Sequence, residues 1–122
     1  MGRNKTSPRT ELIIKISLRC PFDDNRRFDI DYYVNTHAPM ARDLMGSALK
    51  GFEIEHGISG REPDTKPTYV AIAHLYFNSV DAYKSSYGPH AAEIQNDIPN
   101  YTDIQPIMQI SRVECSDAPK VS

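Results

Sequence analysis

Thr68-Tyr69-Val70-Ala71-Ile72-Ala73-His74-Leu75-Tyr76-Phe77 reads as a β-strand that is apolar on both faces. Alternation puts Val70, Ile72, His74 and Tyr76 on one side and Tyr69, Ala71, Ala73, Leu75 and Phe77 on the other. A strand that can be buried on both sides is central in its sheet, or has one face in a subunit contact. The two alanines leave room on their face for something else to fill.

Working back from this run, Gly57 to Pro67 is a loop by composition. Leu49 to Gly57 is a second strand, with Phe52, Ile54 and His56 opposite Glu53 and Glu55. Before it lies Phe28 to Met45, an amphipathic helix. Its apolar stripe comprises Ile30, Tyr33, Val34, Ala41, Leu44 and Met45, and His37 sits on the same stripe one turn after Tyr33. Asp29 is a good N-cap, and Gly46 suits the position just past the C-terminus. Pro39 falls inside the pattern and is expected to kink the helix just after His37. Glu11 to Arg19 is the first strand, alternating Leu12, Ile14, Ile16 and Leu18 with Lys15, Ser17 and Arg19.

Working forward, Asn78 or Ser79 caps a second helix whose stripe is Val80, Tyr83 and Tyr87. Gly88-Pro89 interrupts it, and a further helical piece runs from His90 to Ile98 until Pro99 stops it. Asn100 to Asp103 is a turn, and Ile104 to Val113 is a fourth strand. Pro106 cannot donate to a ladder, which argues for a sheet edge. The order is β-α-β-β-α-β, the ferredoxin-like α+β plan with a four-stranded antiparallel sheet. Helices cover one face of such a sheet. The apolar residues on the other face of the central strand point to burial against a second copy of the chain.

A chain of 122 residues with net charge −2 and a quarter of its residues charged has the make-up of one globular domain. We read residues 1–10 and 115–122 as polar tails around a domain spanning 11–114. Basic residues form no face with aromatic interleaving, so nucleic acid is not an expected partner. No apolar run approaches the roughly 18 residues of a membrane span, and residues 1–10, basic but with no hydrophobic stretch after them, are not expected to act as a secretory signal. Cys20 and Cys115 lack metal-type spacing. In this fold they fall at opposite ends of neighbouring strands, so about nine residues at roughly 3.3 Å each separate them by about 30 Å. Two free thiols and a reducing, cytoplasmic setting are expected.

The residues with chemical potential are few. A buried imidazole beside a phenol, His37 with Tyr33, can exchange a proton with a substrate while the phenol donates a hydrogen bond to the resulting oxyanion. His74 could face a pocket or the subunit contact, and His90 starts a helix near Tyr87. His37, His56, His74 and His90 show no tight spacing, so no metal is expected. The turn residues Asp97, Asn100 and Tyr101 are read mainly as structural, capping the helix end or latching a second subunit.

Taken together, Phe28-Asp29, Tyr32-Tyr33 and His37-x-Pro39 with Tyr69 to Phe77 and Pro89-His90-Ala91-Ala92-Glu93-Ile94 resemble the EthD family. Asp97-Ile98-Pro99-Asn100-Tyr101-Thr102-Asp103 and Gln109-Ile110-Ser111 complete the resemblance, which runs over about Leu12 to Val113. The resemblance implies a dimeric α/β barrel, in which two ferredoxin-like subunits join sheet to sheet and each keeps a pocket between its own sheet and helices. Proteins of this architecture include cofactor-free monooxygenases, muconolactone isomerases, heme-degrading enzymes and polyketide cyclases. The heme-degrading ones commonly close a tryptophan on heme, and this chain has none.

The resulting expectation is a small homodimeric enzyme that needs no cofactor. It would perform proton transfer, isomerisation, cyclisation or oxidation on a small apolar or aromatic substrate, in degradation or secondary metabolism. His37 and Tyr33 are the catalytic candidates. Tyr69, Ala71, Ala73, His74, Leu75, Tyr83, Tyr87 and His90 are the candidate substrate-binding residues. The alternative is a non-catalytic binding protein that holds an apolar ligand for a partner oxidase.

Overall fold

The central strand of the sheet is flanked as its two apolar faces require. In the computed structural model, which describes residues 13–117, four strands form one antiparallel sheet. They are β1 (Ile14–Pro21), β2 (Gly51–His56), β3 (Tyr69–Phe77) and β4 (Ile107–Arg112), in the order β2-β3-β1-β4. This is the ferredoxin-like plan. β1 pairs with both β3 and β4, so Ile16 faces Leu75 on one side and Ile110 on the other. β4 is an edge strand. It begins at Ile107, so Pro106 lies just outside the ladder, where its missing N–H leaves no gap. The residues read as an N-terminal tail, together with Glu11 and Leu12 of the expected first strand, lie outside the described residues, as do residues 118–122.

Four short helices cover one face: α1 (Ile30–Tyr32), α2 (Ala38–Met45), α3 (Val80–Tyr87) and α4 (Ala91–Asn96). Asp29 caps α1 by accepting the Tyr32 N–H at 3.1 Å, and Ser79 caps α3 by accepting the Ala82 N–H at 3.0 Å. Gly46 ends α2 with φ +66°, a backbone conformation that a Cβ disfavours. Between α1 and α2 runs a π-helical turn, Tyr33–His37, closed by the Ala38 N–H on the Tyr33 carbonyl. This turn corrects the expectation of a kink after His37. The extra residue moves the hydrogen-bond register forward, so Pro39 falls in the first turn of α2, where no N–H is needed. The turn leaves Val34 43% exposed, whereas Tyr33 and His37 are buried on the sheet side. The second helical region also differs from expectation. Short 3-10 turns, Gly88–His90 and Ile98–Asn100, bracket a six-residue α4 that ends at Asn96.

The core lies between helices and sheet. Phe77, Ile16, Ala71 and Ala73 are almost completely buried there, with Met45 from α2 and Ile94 from α4. The opposite face carries Lys15, Ser17 and Arg19 of β1, Ile72, His74 and Tyr76 of β3, and Glu53 and Glu55 of β2, while Val70, beside the register shift, packs against the core. Cys20 and Cys115 are both free. Cys20 is buried, and burial pushes its thiol up to about 11. Among the described residues, no helix is long and apolar enough to cross a membrane.

Candidate functional site

The site begins with the way residues 97–104 are tied to the start of α1. The Asp29 N–H donates to the Tyr101 carbonyl at 2.8 Å, and Phe28 pairs with Thr102 in an isolated bridge. The Thr102 hydroxyl donates to the Arg27 carbonyl at 2.6 Å and accepts the Ile104 N–H at 3.0 Å. The Arg27 guanidinium donates to the carbonyls of Pro99 (2.6 Å) and Asn100 (3.4 Å). Its amide donates to the Asp103 carboxylate at 2.9 Å. These bonds fix Asp97 and Tyr101 against the π turn.

The π turn supplies the other half. His37 Nδ1 lies 2.9 Å from Asp97 Oδ2. Asp97 Oδ1 accepts from the Tyr32 hydroxyl at 2.7 Å and from Asn100 Nδ2 at 2.8 Å. Burial works to raise the Asp97 carboxyl, but the hydrogen bonds from Asn100, His37 and Tyr32 outweigh it and hold it below the usual carboxylate range. Asp97 is therefore an acceptor only, and His37 Nδ1 must be the donor. That fixes the tautomer. In the neutral ring Nε2 is then the nitrogen with the lone pair, and it makes no hydrogen bond among the described residues. Neighbouring tyrosines have separate tasks: Tyr32 reaches Asp97, while Tyr33 turns inward.

His37 and Tyr33 line a cavity of about 560 Å³ between helices and sheet. The Tyr101 ring sits 4.7 Å from both the Tyr33 and the His37 rings, with Phe28 edge-on to Tyr33 and Tyr101. Leu18, Cys20 and Met108 close the sheet side with Ala73 and Leu75. Ala41 and Met45 of α2, Phe52, Ile94 and Tyr87 add apolar walls, and Gln95, Thr102, Asp103 and Gln105 bring polar groups to the lining. The size and largely apolar lining are those of small-molecule sites. Burial pushes the phenols of Tyr33 and Tyr101 far up, so both remain protonated donors.

Of the residues singled out from the sequence, the structure brings Tyr33, His37, Ala73, Leu75 and Tyr87 together around this cavity. Others stand elsewhere. His74 is on the opposite sheet face, where its Nε2 meets Glu55 at 3.1 Å and its Nδ1 meets the Ser17 hydroxyl at 3.5 Å. The pleat decides this placement, since His74 is one residue from both Ala73 and Leu75. Tyr69 is displaced by a bulge at Cys20/Pro21, and its ring lies 6.0 Å from the Arg19 guanidinium. Ala71 is packed in the core. Tyr83 stacks on Tyr87, meets Phe77 edge-on, and points its hydroxyl at Met108 Sδ, 3.7 Å away. His90 lies in the Gly88–His90 turn, outside the cavity wall.

Sequence reasoning missed the functional placement of Asp97 and Tyr101. Asp97 pairs with a histidine 60 positions away, which no local periodicity reveals. A usable signal was an aromatic residue inside an otherwise polar turn, which has to pack somewhere. Among the described residues, no group of three or more His, Cys, Asp or Glu side chains could hold a metal ion.

The EthD domain model matches residues 25–105, from the Arg27 anchor through the whole Asp97–Gln105 segment. The chain belongs to the EthD family. It is similar to the crystal structure of an EthD-like protein from Ralstonia eutropha JMP134, with 36% identity and a TM-score of 0.82. That match covers 88% of this chain and 99% of the relative. The fold is also similar to the hydroxynitrile lyase of Passiflora edulis (11% identity, TM-score 0.61, 89% and 99% covered). A dimeric, ferredoxin-like protein of unknown function from Bacteroides fragilis has the same fold (12% identity, TM-score 0.53, 84% and 97% covered). A comparison with curated proteins gives no match. This EthD protein thus presents an oriented imidazole, an ionised carboxylate behind it and two phenols, around an apolar space.

Proposed function

We propose that this EthD protein is a proton-transfer enzyme for a small apolar or aromatic substrate, working without a cofactor. The observation that carries the reading is His37 on the cavity wall with Asp97 behind it, so that Nδ1 is committed to Asp97 and the lone pair of the neutral ring falls on Nε2. Nε2 takes a proton from an acidic carbon next to a carbonyl. The C–H bond breaks, an N–H bond forms, and the electron pair moves into the carbonyl to give an enolate. Tyr33 donates to that oxygen. The Asp97 carboxylate faces the positive charge that the ring acquires, and returning the proton to another carbon completes an isomerisation or cyclisation. A reducing compartment suits the two free thiols.

Deuterium exchange at C1 of 2-tetralone in D2O, followed by NMR, tests this reading. Wild-type protein is expected to accelerate exchange, and His37→Ala to remove about 100-fold or more of the acceleration. Tyr33→Phe is expected to lose about ten-fold or more. Equal exchange in wild type and His37→Ala would sink the proposal. Stabilisation by the ketone without turnover would instead favour the binding-protein alternative.

We further propose that the chain is a homodimer joined through the outer sheet face. Ile72 lies only partly covered there, and Ile107, on the same face of β4, is 52% exposed. Light scattering is expected to give twice the chain mass, and Ile72→Glu to halve it. A wild-type monomer at micromolar concentration would refute the arrangement.

A further inference from the structure

Tyr33 and Tyr101 are each only 5% exposed, and both line the cavity. Neither hydroxyl has a hydrogen-bond partner among the described residues. Tyr32, Tyr76, Tyr83 and Tyr87 all have one. A buried donor without an acceptor is costly, and two facing one space are rare in a folded protein. The two phenols are also neighbours on the cavity lining. The Tyr33 and Tyr101 ring centroids lie 4.7 Å apart. A single carbonyl or phenol oxygen has two lone pairs and can accept from both donors at once.

The charge of the cavity narrows the ligand further. No lysine or arginine lines it. Its carboxylate is Asp103, half-exposed and already engaged by Arg26 and the Arg27 amide. A permanent carboxylate or phosphate would enter this space with no lysine or arginine to meet it, at a large desolvation cost. An uncharged molecule that becomes negative only during reaction does not face that cost.

Building on the proton-transfer reading, we propose that Tyr33 and Tyr101 form a two-donor seat for one oxygen of an uncharged aromatic ketone or phenol. The ring system of that molecule lies in the apolar part of the cavity, against residues such as Leu75, Met45 and Ile94. Its oxygen sits beside His37. Carboxylated or phosphorylated compounds of the same size are excluded.

Titrations with 2-naphthol, naphthalene and 2-naphthoate test the seat, read by ligand fluorescence, since the chain contains no tryptophan. Wild-type protein is expected to bind 2-naphthol about ten-fold or more tightly than either naphthalene or 2-naphthoate. Tyr33→Phe and Tyr101→Phe are each expected to weaken 2-naphthol about five-fold, and the double variant further, with naphthalene unaffected in all. The phenylalanine variants keep the ring packing, and circular dichroism checks their fold. Unchanged 2-naphthol affinity in both phenylalanine variants overturns the seat, as does 2-naphthoate binding as tightly as 2-naphthol. So does an absence of 2-naphthol binding at millimolar concentration. Failure of the seat and failure of the proton transfer leave different patterns. Tyrosine-dependent binding without exchange of 2-tetralone leaves the seat and removes the proton transfer. Exchange with tyrosine-independent binding does the reverse.

Discussion

Asp97→Asn is expected to lower the 2-tetralone exchange rate by about 100-fold, close to the effect of His37→Ala, although Asp97 does not line the cavity. Asp97 is a positioning residue. Its carboxylate accepts from His37 Nδ1, Tyr32 and Asn100, and only an acceptor there leaves His37 Nε2 free to take a proton. An amide in its place has one acceptor oxygen and one donor nitrogen, so it cannot accept from three partners in the same arrangement. A fraction of the imidazole then adopts the other tautomer, with its lone pair facing the substituted amide instead of the substrate. The loss corresponds to about 2.7 kcal/mol at the barrier. A merely structural role would affect binding and rate together. The expected pattern is a fall in kcat with KM for 2-tetralone within about two-fold, since the ketone oxygen is held by the tyrosines. A proportional rise in KM with unchanged kcat would exclude the positioning role.

The same substitution changes stability in acid, and the sign is fixed by the direction of the shift. Asp97 is held below its ordinary value in the folded protein. Its contribution is complete above the unfolded carboxylate value of about 3.9, and it is lost as pH falls through the lower folded value. Asp97→Asn therefore flattens this part of the acid limb of a stability–pH curve. The limb does not vanish, because the Arg27 amide holds Asp103 low in the same way.

Phe77→Ala is expected to be the most damaging change away from the cavity. Phe77 is 0% exposed at the end of β3, opposite Ile14 and edge-on to Tyr83. Removing the ring forfeits its transfer energy and leaves a void that the sheet cannot close, since β3 is held on both sides by β1 and β2. Such changes cost about 3–5 kcal/mol. For a domain of this size that is a fall in Tm of roughly 15 °C or more. Ile58→Ala is the control, because Ile58 is 92% exposed and should leave Tm unchanged within about a degree. A Phe77→Ala variant within a few degrees of wild type would mean that the helix–sheet core is far looser than its burial implies.

The placement of single residues separates what was legible from what was not. Periodicity was sufficient for β3 from Ala71 onward, because the alternation of Ala71, Ala73, Leu75 and Phe77 with Ile72, His74 and Tyr76 is a property of the pleat. By the same rule, His74 belongs with the outer face, where it pairs with Glu55. The caps at Asp29 and Ser79 and the turn at Gly46 were legible too, since each depends on one side chain and its adjacent backbone. The π turn was not. One extra residue in a helical turn leaves almost no trace in a hydrophobic pattern, yet it turns Tyr33 and His37 inward and moves Pro39 into a harmless position.

By itself, then, the sequence determined the order of strands and helices, the face that each strand buries, and the His37–Tyr33 pairing on one helical face. All of these follow from local geometry within a few residues. The tertiary structure alone decided that Asp97 stands behind His37, that Tyr101 completes the cavity, and that Tyr69 and His90 do not reach it. The first two outcomes depend on the Arg27 and Thr102 bonds that fasten one end of the chain's second half to the start of the first helix. A hydrogen bond spanning 60 residues is fixed by how the whole sheet orders its strands, and no short window of residues contains that information.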